Sequence, residues 1–172
     1  MTIANHTSEI DSLLVKRLWN NEECPYFDLI MFADGKIFPL QPLSDSDCGT
    51  IILKSNSWIP ASQIAGIDIS DNLNEGFASL YHKDLSESDL TISCGECCSS
   101  GENGFISLIN SSSGDLIWLV FLVSSNPFSS VDVDKDEIIA HSTDGRKFRL
   151  NLENPDSVEI ISAGGTGSVP TN

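Results

Sequence analysis

The chain is short of positive charge. Nine Lys and Arg stand against 25 Asp and Glu, leaving −16 at pH 7 over 172 residues. Phosphate backbones and anionic membrane surfaces repel such a chain, so neither nucleic acid nor membrane is an expected partner. Long apolar runs are missing too. The most apolar stretch, LIWLVFLV at Leu116 to Val123, is far too short to span a bilayer and reads as a buried strand. The N-terminal MTIANHTSEIDSLL has no basic n-region and no continuous apolar h-region, so no signal peptide is read there. Cysteine is sparse and odd in number, five in all. With no export signal, that points to a reducing cytoplasm.

Catalytic signatures are also lacking. There is no G-x-S-x-G and no H-E-x-x-H, and His6, His82 and His141 are scattered along the chain. The glycine-rich AGGTGS at Ala163 to Ser168 lacks the lysine and the helix of a phosphate cradle. DVDKDE at Asp132 to Glu137 begins like a calcium loop, but the sixth and twelfth places hold Glu137 and Thr143 instead of Gly and Glu. It reads as a solvated acidic turn. No catalytic residue, metal site or cofactor is expected on these grounds.

Three of the five cysteines crowd into TISCGECCSSGENGF, Thr91 to Phe105. Cys94 and Cys97 have C-x2-C spacing and Cys98 adjoins them, but the second pair of a zinc site is absent. Cys24 and Cys48 stand alone. The segment ends a strand rather than starting a helix, and Glu96 opposes a thiolate, which disfavours a redox centre. The first reading is a hairpin tip with small, partly buried thiols. The alternative is a small β domain that binds a metal or small ligand through the Cys94/Cys97/Cys98 loop.

What is present is β-strand patterning behind one helix. Ser8 to Asn21 reads as a helix, with Ile10, Leu13, Leu14, Arg17 and Leu18 on one face and Thr7 or Ser8 as cap. Cys24-Pro25 stops it. YFDLIMFA and KIFPL, joined by Asp34-Gly35, form a hairpin signal. Thr50 to Lys54, Ile64 to Ile69, Leu90 to Cys94, Phe105 to Asn110, Leu116 to Ser124, Glu137 to His141 and Lys147 to Leu152 read as further strands, and Val158 to Ile161 as a last short strand or the start of a short helix. Asn72 to His82 fits either a short helix or an edge strand. FADGKIFPL and STDGRKFRL echo each other as D-G-[K/R]-x-F-x-L; shared turn chemistry suffices for this, and internal duplication is the alternative. Regularly spaced short strands predict a mainly β (α+β) fold: an antiparallel sheet or sandwich-like domain with one N-terminal helix, spanning 1–162 as a single domain. Residues 163–172 have the composition of a flexible tail.

Acidic residues fall in two clusters. Asp68, Asp71, Glu75, Asp84, Glu87 and Asp89 surround Phe77, Leu80 and Tyr81, and Asp132, Asp134, Asp136 and Glu137 make the second. Apolar anchors ringed by carboxylates suit a surface for a basic protein partner, whose opposite field speeds encounter. The expected partner-binding residues are therefore these ten acids together with Tyr81.

WLVFLVSSNPF at Trp118 to Phe128, followed by DGRKFRLNLENP at Asp144 to Pro155, in a small, acidic, enzymatically blank chain, resembles the immunity proteins of bacterial toxin–immunity systems. These include the contact-dependent inhibition and polymorphic toxin types. The resemblance covers about the last third of the chain. It implies a cytoplasmic, non-enzymatic inhibitor that occludes the active site of a cognate toxin, for which a basic nuclease would be a complementary target. It assigns no site residue.

Overall fold

A computed structural model describes residues 3–43, 50–65, 73–85, 88–97 and 101–161. Chain order is α1 (Ile3–Asn20), β1 (Glu23–Pro25), β2 (Leu29–Phe32), β3 (Lys36–Pro39), β4 (Gln41–Pro42), β5 (Thr50–Lys54), β6 (Ile59–Pro60) and α2 (Ala61–Ala65). There follow β7 (Leu73–Glu75), β8 (Phe77–Asp84), β9 (Leu90–Cys97), β10 (Gly104–Asn110), β11 (Leu116–Leu122) and β12 (Phe128–Asp134). The last elements are β13 (Glu137–Ser142), β14 (Lys147–Asn151) and β15 (Ser157–Ile161). The fold is mainly β, with antiparallel pairing in two principal sheets. One has the order β6-β3-β2-β11-β10-β9-β8, the other β12-β13-β14-β15-β5-β4, and β1 and β7 form a small ribbon.

The sheets pack face to face. Ile30, Ile92, Cys94, Ile106, Leu108, Trp118 and Val120 meet Val131, Ile138, Ala140, Phe148, Leu150 and Val158 between them. Phe128 and Phe148 meet edge to face at 4.9 Å. Trp118 is wholly buried, and its indole N–H is satisfied by the Leu152 carbonyl at 2.9 Å. A second core on the outer face of the seven-stranded sheet joins Val15 and Leu18 of α1 to Leu29, Met31, Ile37, Leu119 and Phe121. That sheet is covered on both faces near its centre. This explains why β11 is apolar without alternation, as a strand buried on both sides must be.

Helix α1 departs from the expected helix in extent and in facing. It starts at Ile3, because no Gly or Pro interrupts the chain before Pro25. It ends at Asn20, just before Glu22 turns left-handed at φ 57°. From Glu9 onward the buried positions are Asp11, Val15 and Leu18, while Ile10 and Leu13 are 51% and 61% exposed. Polar anchoring sets this rotation. Asp11 Oδ1 accepts the Ser62 backbone N–H at 2.7 Å, capping α2, and Ser12 Oγ donates to the Ala33 carbonyl at 2.8 Å. Gly35 permits the approach, since a Cβ there would stand 2.3 Å from Asp11 Cβ.

Other expectations are corrected or resolved by packing. Ile64 lies in α2 rather than in a strand, its side chain buried in the second core; 66–69 lie outside the described residues. Asn72 to His82 resolves as strand from Leu73 onward, with β8 at the sheet edge. Cys94 and Cys97 belong to β9, not to a hairpin tip. The proposed tail, 163–172, lies outside the described residues. No described helix is long and apolar enough to cross a membrane.

Candidate functional site

The edges β8 and β12 of the two sheets lie beside each other, which brings Asp84 at the end of β8 near the β12–β13 turn. A cleft of about 450 Å³ opens there between the sheets. Leu85, Leu90, Leu108, Val133 and Leu152 give it an apolar lining, and Lys83, Asp84, Lys135 and Glu153 add charge. Strand alternation explains the lining. Leu108 and Val133 face the inter-sheet core near the ends of their strands.

The β12–β13 turn stands at the mouth. Asp134 pairs with Glu137, so Lys135 and Asp136 form a two-residue loop, with Lys135 left-handed at φ 53°. Asp134 and Asp136 are exposed and make no side-chain hydrogen bond or ion pair among the described residues. The other candidate acids are engaged within the chain. Asp84 accepts from Thr91 Oγ1 at 2.6 Å. Asp89 accepts from Asn110 Nδ2 at 3.1 Å and Ser112 Oγ at 2.8 Å, fastening the turn before β11. Glu137 Oε2 lies 3.3 Å from Arg149 Nε, and Arg149 also bonds Glu159 at 2.9 Å.

Two candidates are placed elsewhere. Glu75 pairs with Glu23 in the β1–β7 ribbon, next to the end of α1. Tyr81 is half-buried against the inter-sheet core, because the bulge in β8 between Ser79 and Tyr81 resets which side chains face inward. Asp68, Asp71 and Glu87 lie outside the described residues.

Cys94 and Cys97 do not form a shared ligand set. Cys94 lies in the inter-sheet core and Cys97 in the outer core, as residues three apart on a strand must point to opposite faces. Cys94 Sγ donates to the Phe128 carbonyl at 3.5 Å, and burial pushes its thiol up to about 12. Cys98 lies outside the described residues. Gly95, between the two thiols, has a structural role, since a Cβ there would meet the Ala78 carbonyl oxygen of the bulged β8 at 2.0 Å. Among the described residues no group of three His, Cys, Asp or Glu is placed to hold a metal.

His141 Nε2 and Asp132 Oδ2 lie 2.8 Å apart on the exposed side of the six-stranded sheet. No serine or cysteine side chain is bonded to that ring among the described residues; Ser129 Oγ instead donates to the His141 carbonyl at 3.2 Å. The pair is a local ion pair when the ring is protonated, without the nucleophile of a triad.

No protein-family model matches this chain, and no curated protein matches it.

The lining of the cleft was not visible in the sequence. Its leucines and valine come from five separated segments. Their apolar character alone marks them as core, and only the pairing of edges shows that they end in an opening.

Proposed function

We propose that this chain is a non-enzymatic protein-binding inhibitor of the immunity type. It would act in a bacterial cytoplasm by covering the active site or substrate path of a basic toxin domain such as a nuclease. One observation carries this reading. An apolar cleft is lined by Val133 and Lys135 at the β12–β13 turn, and their neighbours in the chain, Asp134 and Asp136, are exposed carboxylates with no cationic partner among the described residues. Unpaired rim charges steer encounter and select register, while an apolar pocket supplies the anchor that holds a partner. The net charge of −16 reinforces attraction to a basic surface. Lys83 and Lys135 also line the cleft, so the complementary partner is patterned, with an acidic or neutral group facing those two ammonium ions.

The test uses the whole chain. Immobilised protein captures its partner from the lysate of its source cells, with washes at rising salt. The captured protein is then assayed for an activity, such as nuclease activity, that added chain suppresses at one-to-one stoichiometry. Asp134→Lys with Asp136→Lys, both exposed and unbonded, is expected to slow association roughly tenfold or more at low salt and leave the fold intact. Equal association rates for parent and double variant, or capture without suppression of any activity, would remove this reading.

A further inference from the structure

The outer face of the seven-stranded sheet carries a second hollow, of about 300 Å³, where the last turn of α1 meets β8, β9 and β10. One wall is a run of rings. Trp19 and Phe77 have centroids 5.7 Å apart, and Phe77 and Phe105 4.9 Å. Trp19 is fixed by its Nε1 donating to the Gly114 carbonyl at 3.1 Å. The floor is hydroxylic, with Ser79, Ser93 and Ser107 on three neighbouring strands, and Ser93 directly opposite Ser107. Ser79 and Ser93 share a 2.6 Å hydrogen bond, and both lie within reach of the Tyr81 carbonyl.

Ser107 is the unusual member. Its side chain is wholly buried and its Oγ has no hydrogen-bond partner among the described residues. It shares the outer face of β10 with Phe105 and Ile109, while Ile106 and Leu108 turn to the inter-sheet core. A buried hydroxyl left unbonded is destabilising, and alanine would fill a merely structural position without that cost. At the rim stand Asn20 and Glu22, and among the described residues no Lys, Arg or His lines the hollow.

We propose that this hollow binds a guanidinium group, the head of an arginine side chain presented by a protein or peptide. The group is flat, weakly hydrated and cationic, so it stacks on aromatic faces and tolerates burial better than an ammonium. Its N–H donors match the serine oxygens, and Ser107 Oγ gains the bond it lacks. Glu22 faces the charge from the rim. Anionic ligands find no cation in the lining and a field of −16 against them. A purely apolar side chain would leave Ser107 unbonded. This site stands on its own residues, separate from the cleft between the sheets.

The test is titration of the isotope-labelled full chain with N-acetyl-arginine methylamide, followed by amide and indole N–H shifts. Saturable shifts at Ser79, Ser93, Ser107 and the Trp19 indole are expected, with Kd on the order of 1 mM for so small a probe. N-acetyl-lysine methylamide should bind at least several-fold more weakly, and N-acetyl-glutamate methylamide should not bind. Ser107→Val fills the floor and should abolish the shifts. Glu22→Gln, at an exposed position, should weaken them about threefold to tenfold and tests the site should the core variant fail to fold. The Asp134→Lys and Asp136→Lys pair should leave them unchanged, so this result and that for the cleft are read separately. Absence of saturation, equal affinity for lysine, tighter binding of the neutral phenol p-cresol, or shifts that survive both Ser107→Val and Glu22→Gln would overturn the proposal.

Discussion

Cys94 illustrates how one residue's surroundings decide its chemistry. With its pKa pushed up to about 12 by burial, only about one thiol in ten thousand is ionised at pH 8, and the thiolate is the reactive form. Native protein treated with iodoacetamide at that pH should leave Cys94 unmodified in peptide mass mapping, and unfolded protein should be alkylated there. Rapid native labelling of Cys94 would contradict its placement in the core. Asp28 offers a pH test. Burial raises its pKa above the ordinary 3.8, against a bond from the Val123 N–H that partly offsets it. The folded state thus holds a proton that the unfolded state has lost between 3.8 and the raised value, so stability falls as pH rises through that window and stays lower above it. Asp28→Asn keeps the acceptor and removes the charge. Its Tm should exceed the parent's at pH 7, with the difference closing below 3.8; a lower Tm at pH 7 would refute this. At this scale the sequence was partly legible. Asp134 and Asp136 could be read as exposed acids in a turn, because turns carry solvated side chains. That Asp84 and Asp89 bond Thr91, Asn110 and Ser112 could not, because those bonds join strands whose register is unknown until the sheet is built. The C-x2-C spacing suggested a shared site only while the strand's alternation was left out.

The two D-G hairpins show what an element's sequence fixes and what it leaves to packing. In each, the glycine N–H bonds back three residues, to Phe32 and to Ser142, both at 3.0 Å. In each, the aspartate accepts from the following basic residue's N–H, at 3.2 Å for Lys36 and 3.0 Å for Arg146. Gly35 and Gly145 are left-handed at φ 94° and 87°. Their surroundings differ, since α1 lies against Gly35 while Gly145 is exposed. Gly145→Ala should cost about 1–2 kcal/mol for its backbone conformation alone. Gly35→Ala should cost roughly 3 kcal/mol, overpacking included, and should loosen α1. Denaturant titration of both variants compares them, and equal losses would argue against the α1 contact. Most strands were legible because their apolar residues sit between turn signals. Helix α2 was not, being a single turn whose start depends on Asp11, far away in sequence. The facing of α1 departs from its apolar pattern for the same reason: a buried carboxylate outranks two apolar residues, and periodicity counts only apolar ones.

For the molecule as a whole, −16 over 172 residues makes self-repulsion a global term. Raising ionic strength from about 0.01 M to about 0.15 M shortens the screening length from about 30 Å to about 8 Å. Tm is expected to rise by roughly 2–4 °C, as a gain near 1 kcal/mol would produce in a chain of this size. A fall in Tm would mean that pairs such as Lys16–Asp115 and Arg149–Glu159 outweigh the repulsion. The sandwich with a helix on one side was legible as a class, because alternating strands must cover a face. Which strand neighbours which was not, since pairing order leaves no mark on any one segment. That order bears on how the chain is made. β2 finds its neighbour in β11, and β5 in β15 roughly a hundred residues later. A ribosome releasing this protein holds out the early strands long before their partners exist. Folding therefore waits for β11 to β15, and a truncated chain ending before β11 would leave β2 without the strand that completes its pairing, a natural target for chaperones and proteases.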